Sequence, residues 1–178
     1  SVTSYADKNV KAGGVYKYTV RALNSDGISG YKGTETIVYL TTPTVKIANA
    51  SNGVKGTFSQ VAGATGYIVY RREYNASTKQ WSGWTNLGTA KETAKSFTDK
   101  TAVSGKTYSY TVRAINGNSK SLYTASNTLL YLAQPTVKIA NAKAGITVKW
   151  TKSTGTKGYT VYRSEYNAST KKWTSWKN

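Results

Sequence analysis

Cysteine, histidine and methionine are missing from this 178-residue chain. Without cysteine there is no disulfide framework, so any core must hold by packing alone. Without histidine or cysteine, the common catalytic triads, thiol nucleophiles and Cys/His zinc sites are excluded. Acids are scarce at 7 residues, and no Asp-x-Asp loop suited to calcium occurs. No glycine-rich phosphate loop follows a strand and opens a helix. Glu73 and Asp99 are the one plausible carboxylate couple in the middle of the chain, and a glycosidase pair needs about 5–10 Å between them. Glu73 lies beside Arg71 and Arg72, so a surface ion pair is the stronger expectation. No catalytic residue, metal site or cofactor is therefore expected. No apolar run approaches the roughly 20 residues of a membrane span.

What remains is basic and β-rich. Lysine and arginine number 25, giving a formal charge of +18. Residues 42–133 hold 11 basic and 3 acidic residues, so the charge is spread rather than gathered in a tail. Such a field favours anionic surroundings as well as solubility. An acidic glycan, a cell-wall polymer or a host protein is expected as partner ahead of nucleic acid. Tyrosine (15) and glycine (16) are abundant and proline (2) is rare, a composition of strands and turns.

The chain repeats itself. GYIVYRREYNASTKQWSGW at 66–84 returns as GYTVYRSEYNASTKKWTSW at 158–176, 92 residues later. The run from Pro43 returns at Pro135 and the run from Tyr16 returns at Tyr108, at the same offset. No insertion separates the copies. Residues 1–41 are the back of one repeat, 42–133 a complete repeat, and 134–178 the front of the next. Short alternating runs predict strands at 44–48, 53–58, 66–74, 81–87, 94–98, 106–115 and 122–132. Seven short strands cut by Gly, Asn, Ser and Thr turns predict an all-β fold of antiparallel sandwiches.

The third-strand run at 66–71 and the sixth-strand run at 108–114 resemble a fibronectin type III domain. Trp150 sits where that family places a second-strand core tryptophan, and Phe58 takes its place in the complete repeat. The resemblance implies tandem seven-stranded β-sandwiches and no catalysis. The Lys- and Tyr-rich tandem style resembles arrays in secreted or wall-attached proteins of Gram-positive gut bacteria, which implies an extracellular location. The Trp-containing hairpin after the third strand departs from the family, and no Arg-Gly-Asp is present.

By alignment on the repeat, Asn178 corresponds to Asn86 and Ser1 to Thr93. Together the two ends lack only a counterpart of residues 87–92. Nicking of that loop, a cut from a longer array, and complementation between molecules all account for this. The last would join copies head to tail, donor strands to acceptor strands.

A candidate binding face follows from strand alternation. With Tyr67 and Val69 inward, Ile68, Tyr70, Arg72 and Tyr74 point outward, and Thr111 and Arg113 join them from the sixth strand. Trp81 and Trp84 are three apart, so an ideal strand puts them on opposite faces. The candidate residues are Tyr70, Arg72, Tyr74, Trp81, Trp84 and Arg113. Their repeat partners Tyr162, Tyr166, Trp173, Trp176 and Arg21 join them. Aromatic faces beside guanidinium groups suit sugars and acidic groups. The competing expectation is that they only stabilise the sheet, with the tryptophans packed on Lys and Arg stems. The Asn-Ala-Ser runs at Asn49, Asn75 and Asn167 are expected as turns. The functional expectation is a stiff spacer or fibre subunit. The alternatives are a binding module for acidic glycan, mucin or a host protein such as immunoglobulin, and an accessory region of a carbohydrate-active enzyme.

Overall fold

The computed structural model describes residues 2–178, which contain no helix. The N-terminal segment carries β1 (Val15–Tyr16), β2 (Leu23–Asn24), β3 (Gly27–Ile28) and β4 (Ile37–Val38). The centre carries β5 (Val45–Ala50), β6 (Gly53–Phe58), β7 (Gly66–Asn75), β8 (Gln80–Trp81) and β9 (Thr85–Lys91). It continues with β10 (Ser96–Asp99), β11 (Thr107–Asn116), β12 (Ser119–Lys120) and β13 (Leu129–Leu130). The C-terminal segment carries β14 (Val137–Ala142), β15 (Gly145–Trp150), β16 (Tyr166–Asn167) and β17 (Lys172–Trp173).

Two antiparallel sheets form the central sandwich. One has the order β10-β6-β5. The other runs β12-β11-β7-β8, with β9 also on β7 and β13 also on β11. Its spine is the β7–β11 pair, in register from Thr107 opposite Tyr74 to Ile115 opposite Gly66. The inward residues expected on these strands are buried, but Ile68, expected outward, is buried as well. Tyr67, Val69, Tyr108, Tyr110, Val112 and Ala114 are all buried.

With no methionine and two phenylalanines, tyrosine does the filling. The hydroxyls of Tyr67, Tyr108 and Tyr110 each find a partner, as burial requires. Tyr67 accepts from the Val61 N–H at 2.8 Å, and Tyr108 accepts from the Val103 N–H at 3.1 Å. Phe58 packs against Tyr67 with ring centroids 4.8 Å apart. Leu40, which precedes the expected repeat boundary at 42, also lies in this core.

Two expected strands are broken. The run expected at 81–87 divides into β8 and β9, because the chain leaves the ladder at 82–84. A bulge then shifts β9, so that Val69 faces Gly88 while Tyr70 faces Asn86, and Leu87 packs against the core. The run expected at 122–132 is strand only at Leu129–Leu130. Before it, hydroxyl groups replace backbone acceptors. Ser121 donates its N–H to the Ala114 carbonyl at 2.9 Å, and its Oγ accepts from the Ala114 N–H at 3.0 Å. Ser126 does the same for Tyr110 at 2.7 and 2.9 Å. Thr111 was expected outward and exposed. It is buried because this irregular strap covers it, and its Oγ1 donates to the Thr124 carbonyl at 3.0 Å.

The flanking segments form only local hairpins: β1 with β4, β2 with β3, β14 with β15 and β16 with β17. Their core residues lie open. Val20 is 88% exposed where its repeat partner Val112 is 0%, and Tyr159 is 39% exposed where Tyr67 is 1%. Trp150 touches Tyr159 at 5.4 Å, as Phe58 touches Tyr67, but no second sheet faces it among the described residues.

Candidate functional site

The hairpin from β7 to β8 is shaped by two polar devices. The Asn75 Oδ1 accepts from the N–H groups of Ser77 and Thr78, so the Asn-Ala-Ser run at Asn75 forms an Asx turn. Asn167 repeats it toward Thr170 at 3.0 Å. Next, the Ser82 N–H donates to the Glu73 carbonyl at 2.9 Å while the Ser82 Oγ accepts from the Glu73 N–H at 3.0 Å. The hydroxyl stands in for a backbone acceptor, so the chain can turn out of the strand without orphaning Glu73.

That turn brings Trp84 back over the sheet. Trp81 and Trp84 share one face instead of opposing faces, because residues 82–84 are not extended ladder. The Arg72 guanidinium carbon lies 4.5 Å from the Trp81 ring centre and 4.8 Å from that of Trp84. Tyr74 extends the row beyond Trp81 at 5.2 Å. Tyr123 extends it beyond Trp84 at 5.7 Å, edge to face. Arg113 closes it at 5.8 Å from the Tyr123 ring. The order is Tyr74, Trp81, Arg72, Trp84, Tyr123, Arg113. The Arg72 Nε is buried and makes no hydrogen bond among the described residues. Its surroundings are aromatic, so its charge is met by ring faces.

Tyr70, Trp84, Thr111, Arg113 and Tyr123 line a shallow cleft of 170 Å³ beside this row. Tyr70 and Arg113 therefore share a surface, as alternation implied. Tyr123 was not among the expected residues. Its signal is the repeat, since Arg21 meets Tyr31 at 5.8 Å just as Arg113 meets Tyr123. In both copies the arginine Nε donates to a serine carbonyl, Ser29 at 2.7 Å and Ser121 at 2.8 Å. The C-terminal copy keeps Tyr166 against Trp173 at 5.4 Å but carries Ser164 where Arg72 stands. There Trp173 and Trp176 are 68% and 72% exposed, and Tyr162 is exposed as well.

A buried polar cluster lies beneath β7. Arg71 Nη1 donates to Asp99 Oδ2 at 2.8 Å and to Thr101 Oγ1 at 3.0 Å. Tyr110 donates its hydroxyl to the same Asp99 oxygen at 2.9 Å. Burial pushes the Asp99 carboxyl up, but bonds from Thr101, Tyr110 and Arg71 outweigh it and hold the carboxyl below its ordinary value. For Arg71 burial works against the charge and the bond to Asp99 restores it, so the net direction is upward. Burial and the Asp99 bond push the Tyr110 phenol far up, so it stays a donor. Glu73 pairs with Lys106 at 2.7 Å rather than with Arg71 or Arg72. Glu73 and Asp99 are thus each engaged by a separate cation, which is the arrangement of structural ion pairs.

A third feature recurs at both ends of the sandwich. Gly13 meets Gly63, and 92 residues on Gly105 meets Gly155. A Cβ on Gly63 would fall 2.6 Å from the Gly13 Cα, and one on Gly155 would fall 2.5 Å from the Gly105 Cα. All four have left-handed φ, between 77° and 88°. Only glycine permits both that conformation and that approach. The loop is held alike each time, Gly13 N–H to the Tyr39 carbonyl and Gly105 N–H to the Tyr131 carbonyl, both at 2.8 Å. Ser104 Oγ adds a bond to the Thr154 carbonyl at 2.9 Å.

Residues 42–124 match "Fibronectin type III domain SaeA third domain". The central sandwich is fibronectin type III-like. The chain is 29% identical over 198 residues to exoglucanase B of Cellulomonas fimi, covering 92% of this chain and 17% of that protein. Among solved structures it is similar to domains of titin, with 26% identity and a TM-score of 0.41, covering 68% of this chain and 42% of that one. It is also similar to the FN1–FN3 domains of chicken CNTN1, with 17% identity and a TM-score of 0.38, covering 76% and 52%. The chain therefore spans less than two thirds of the length of each relative. No helix among the described residues is long and apolar enough to cross a membrane.

Proposed function

We propose that this chain is a non-catalytic run of fibronectin type III-like units, divided at 1–41, 42–133 and 134–178, that serves as a stiff extracellular spacer. The observation that carries this reading is the glycine joint, made twice by the same residues at the same offset. Two loops that touch backbone to backbone leave little room for bending. An identical joint at each junction turns a row of units into a rod of constant pitch. The aromatic–arginine row and the Asp99 cluster support the same role, since both spend their polar groups on stiffening the sheet.

A second reading is favoured by one comparison. Similarity to an exoglucanase over 17% of that protein supports an accessory, non-catalytic region beside a glucan-acting domain. Action on a glucan polymer fits a place outside the cell. The two readings are compatible, because an accessory spacer would use the same joint.

Spin-label distances test the spacer. The chain has no native cysteine, so a pair such as Lys32→Cys and Ser59→Cys labels cleanly. One narrow distance distribution is expected across the first joint. A broad distribution, like that of a flexible linker, would overturn the reading.

A further inference from the structure

The outer face of the β7–β11 pair in the central sandwich carries cations without acids. The acids of residues 42–133 are Glu73, Glu92 and Asp99. Asp99 is buried against Arg71, Glu73 is paired with Lys106, and Glu92 lies past the end of β9. Arg72 and Arg113 have no salt-bridge partner among the described residues. Both are nevertheless held in place. Arg72 lies between Trp81 and Trp84. Arg113 lies over Tyr123 and spends its Nε on the Ser121 carbonyl.

The ring contacts occupy the flat faces of the guanidinium groups and leave the Nη edges. Among the described residues, the Arg72 Nε is the one buried side-chain nitrogen or oxygen without a partner. The unpaired Nη edges of both arginines therefore reach solvent. Such an edge is a planar, two-toothed donor that matches a carboxylate. The Arg113 edge stands at the 170 Å³ cleft whose other walls are Tyr70, Trp84, Thr111 and Tyr123. That volume is about six waters, room for one sugar ring. Thr111 is closed off as a donor, since its hydroxyl is bonded to the Thr124 carbonyl. Arg72 opposes Ser109, four residues from Arg113, so the two arginines are set roughly 13 Å apart along the strands. One sugar ring does not span that length.

We propose that this face binds a carboxylate-bearing polysaccharide, a uronate chain. One ring sits in the cleft against Tyr70 and Trp84 with its carboxylate on the Arg113 Nη edge. Arg72 takes a carboxylate further along the chain and fixes Trp84. Nucleic acid is the poorer match, because β7 and β11 contain no lysine to follow a phosphate backbone. The arginine part of the site recurs 92 residues earlier, where Arg21 lies over Tyr31 and bonds the Ser29 carbonyl. Forks repeated along a row of units would let weak contacts with one polymer add. The glycine joints use none of these side chains, so this inference and the spacer reading are tested separately.

Calorimetric titration of the whole 178-residue chain with a short oligogalacturonate tests it. Salt at about 0.15 M confines the field of the remaining lysines to roughly 8 Å. Binding is expected. Arg113→Lys keeps the charge but loses the fork, and should weaken binding about tenfold. Tyr70→Ala should weaken it as well, and decides the matter if Arg113→Lys does not fold. Far-ultraviolet circular dichroism checks each variant. Lys55→Gln removes an exposed charge from β6, in the opposite sheet, and should leave the affinity unchanged. No binding would overturn the proposal. An equal loss in Lys55→Gln would also overturn it, by showing net charge alone at work. Single-stranded DNA that binds as tightly, with the same loss in Arg113→Lys, would replace the sugar chain by nucleic acid.

Discussion

Arg71 Nη1 lies 2.8 Å from Asp99 Oδ2, and the aspartate side chain is only 2% exposed. The pair ties the core strand β7 to the end of β10 across the two sheets. Removing one member leaves the other buried and unmatched. Asp99→Asn should destabilise the central sandwich by about 3 kcal/mol. Urea unfolding of the two proteins measures it. The pH dependence has a definite sign. The folded carboxyl sits below its ordinary value of 3.8, so the stabilisation is present above that value and is lost as pH falls through the lower folded value. The wild type should show that acid loss, and Asp99→Asn should lack this contribution.

Arg72 is held by two indole rings, and the C-terminal copy shows the alternative with Ser164. Arg72→Ser should free Trp81 and Trp84 and cost about 1–2 kcal/mol. In a background with Trp150, Trp173 and Trp176 changed to Phe, emission should shift to the red and the urea midpoint should fall. An unchanged spectrum would show that the guanidinium does not hold the rings.

Ser121 replaces a backbone acceptor for the buried Ala114 N–H. Ser121→Ala removes that acceptor and should cost about 1–3 kcal/mol. Hydrogen exchange should accelerate at the Ala114 amide, and by less at the Tyr110 amide, which Ser126 serves.

Gly63 has a φ of +77° and touches Gly13. Gly63→Ala should cost about 1 kcal/mol in backbone strain. It should also push the first joint apart. The spin-label distribution across that joint should broaden or move, while the hydrogen-exchange protection of β7 and β11 stays near wild type. Gly83→Ala is the control, since a Cβ there meets nothing within 4 Å.

Much of the fold was legible because strand alternation has a period of two and burial enforces it. The β6 bounds, the inward faces of β7 and β11, and the Asx turn at Asn75 could all be read from local residues. The candidate face was legible only in part. Alternation placed Tyr70 and Arg113 together, but it misplaced Trp84. No local rule shows that Ser82 will take over a backbone acceptor and let the chain fold back. Thr111 was misjudged for the same reason, since the strap at 121–126 is held by hydroxyl groups rather than a ladder.

By itself the sequence determined the absence of thiol and imidazole chemistry, the 92-residue repeat, the basic surface and the β-sandwich class. These depend on composition and on short-range pattern. Tertiary structure decided which aromatic rings hold Arg72 and which cation Asp99 takes. It also decided that Gly13 and Gly105 press against Gly63 and Gly155. Each of those contacts joins residues tens of positions apart, and its geometry exists only once both sheets and the loops between units have closed.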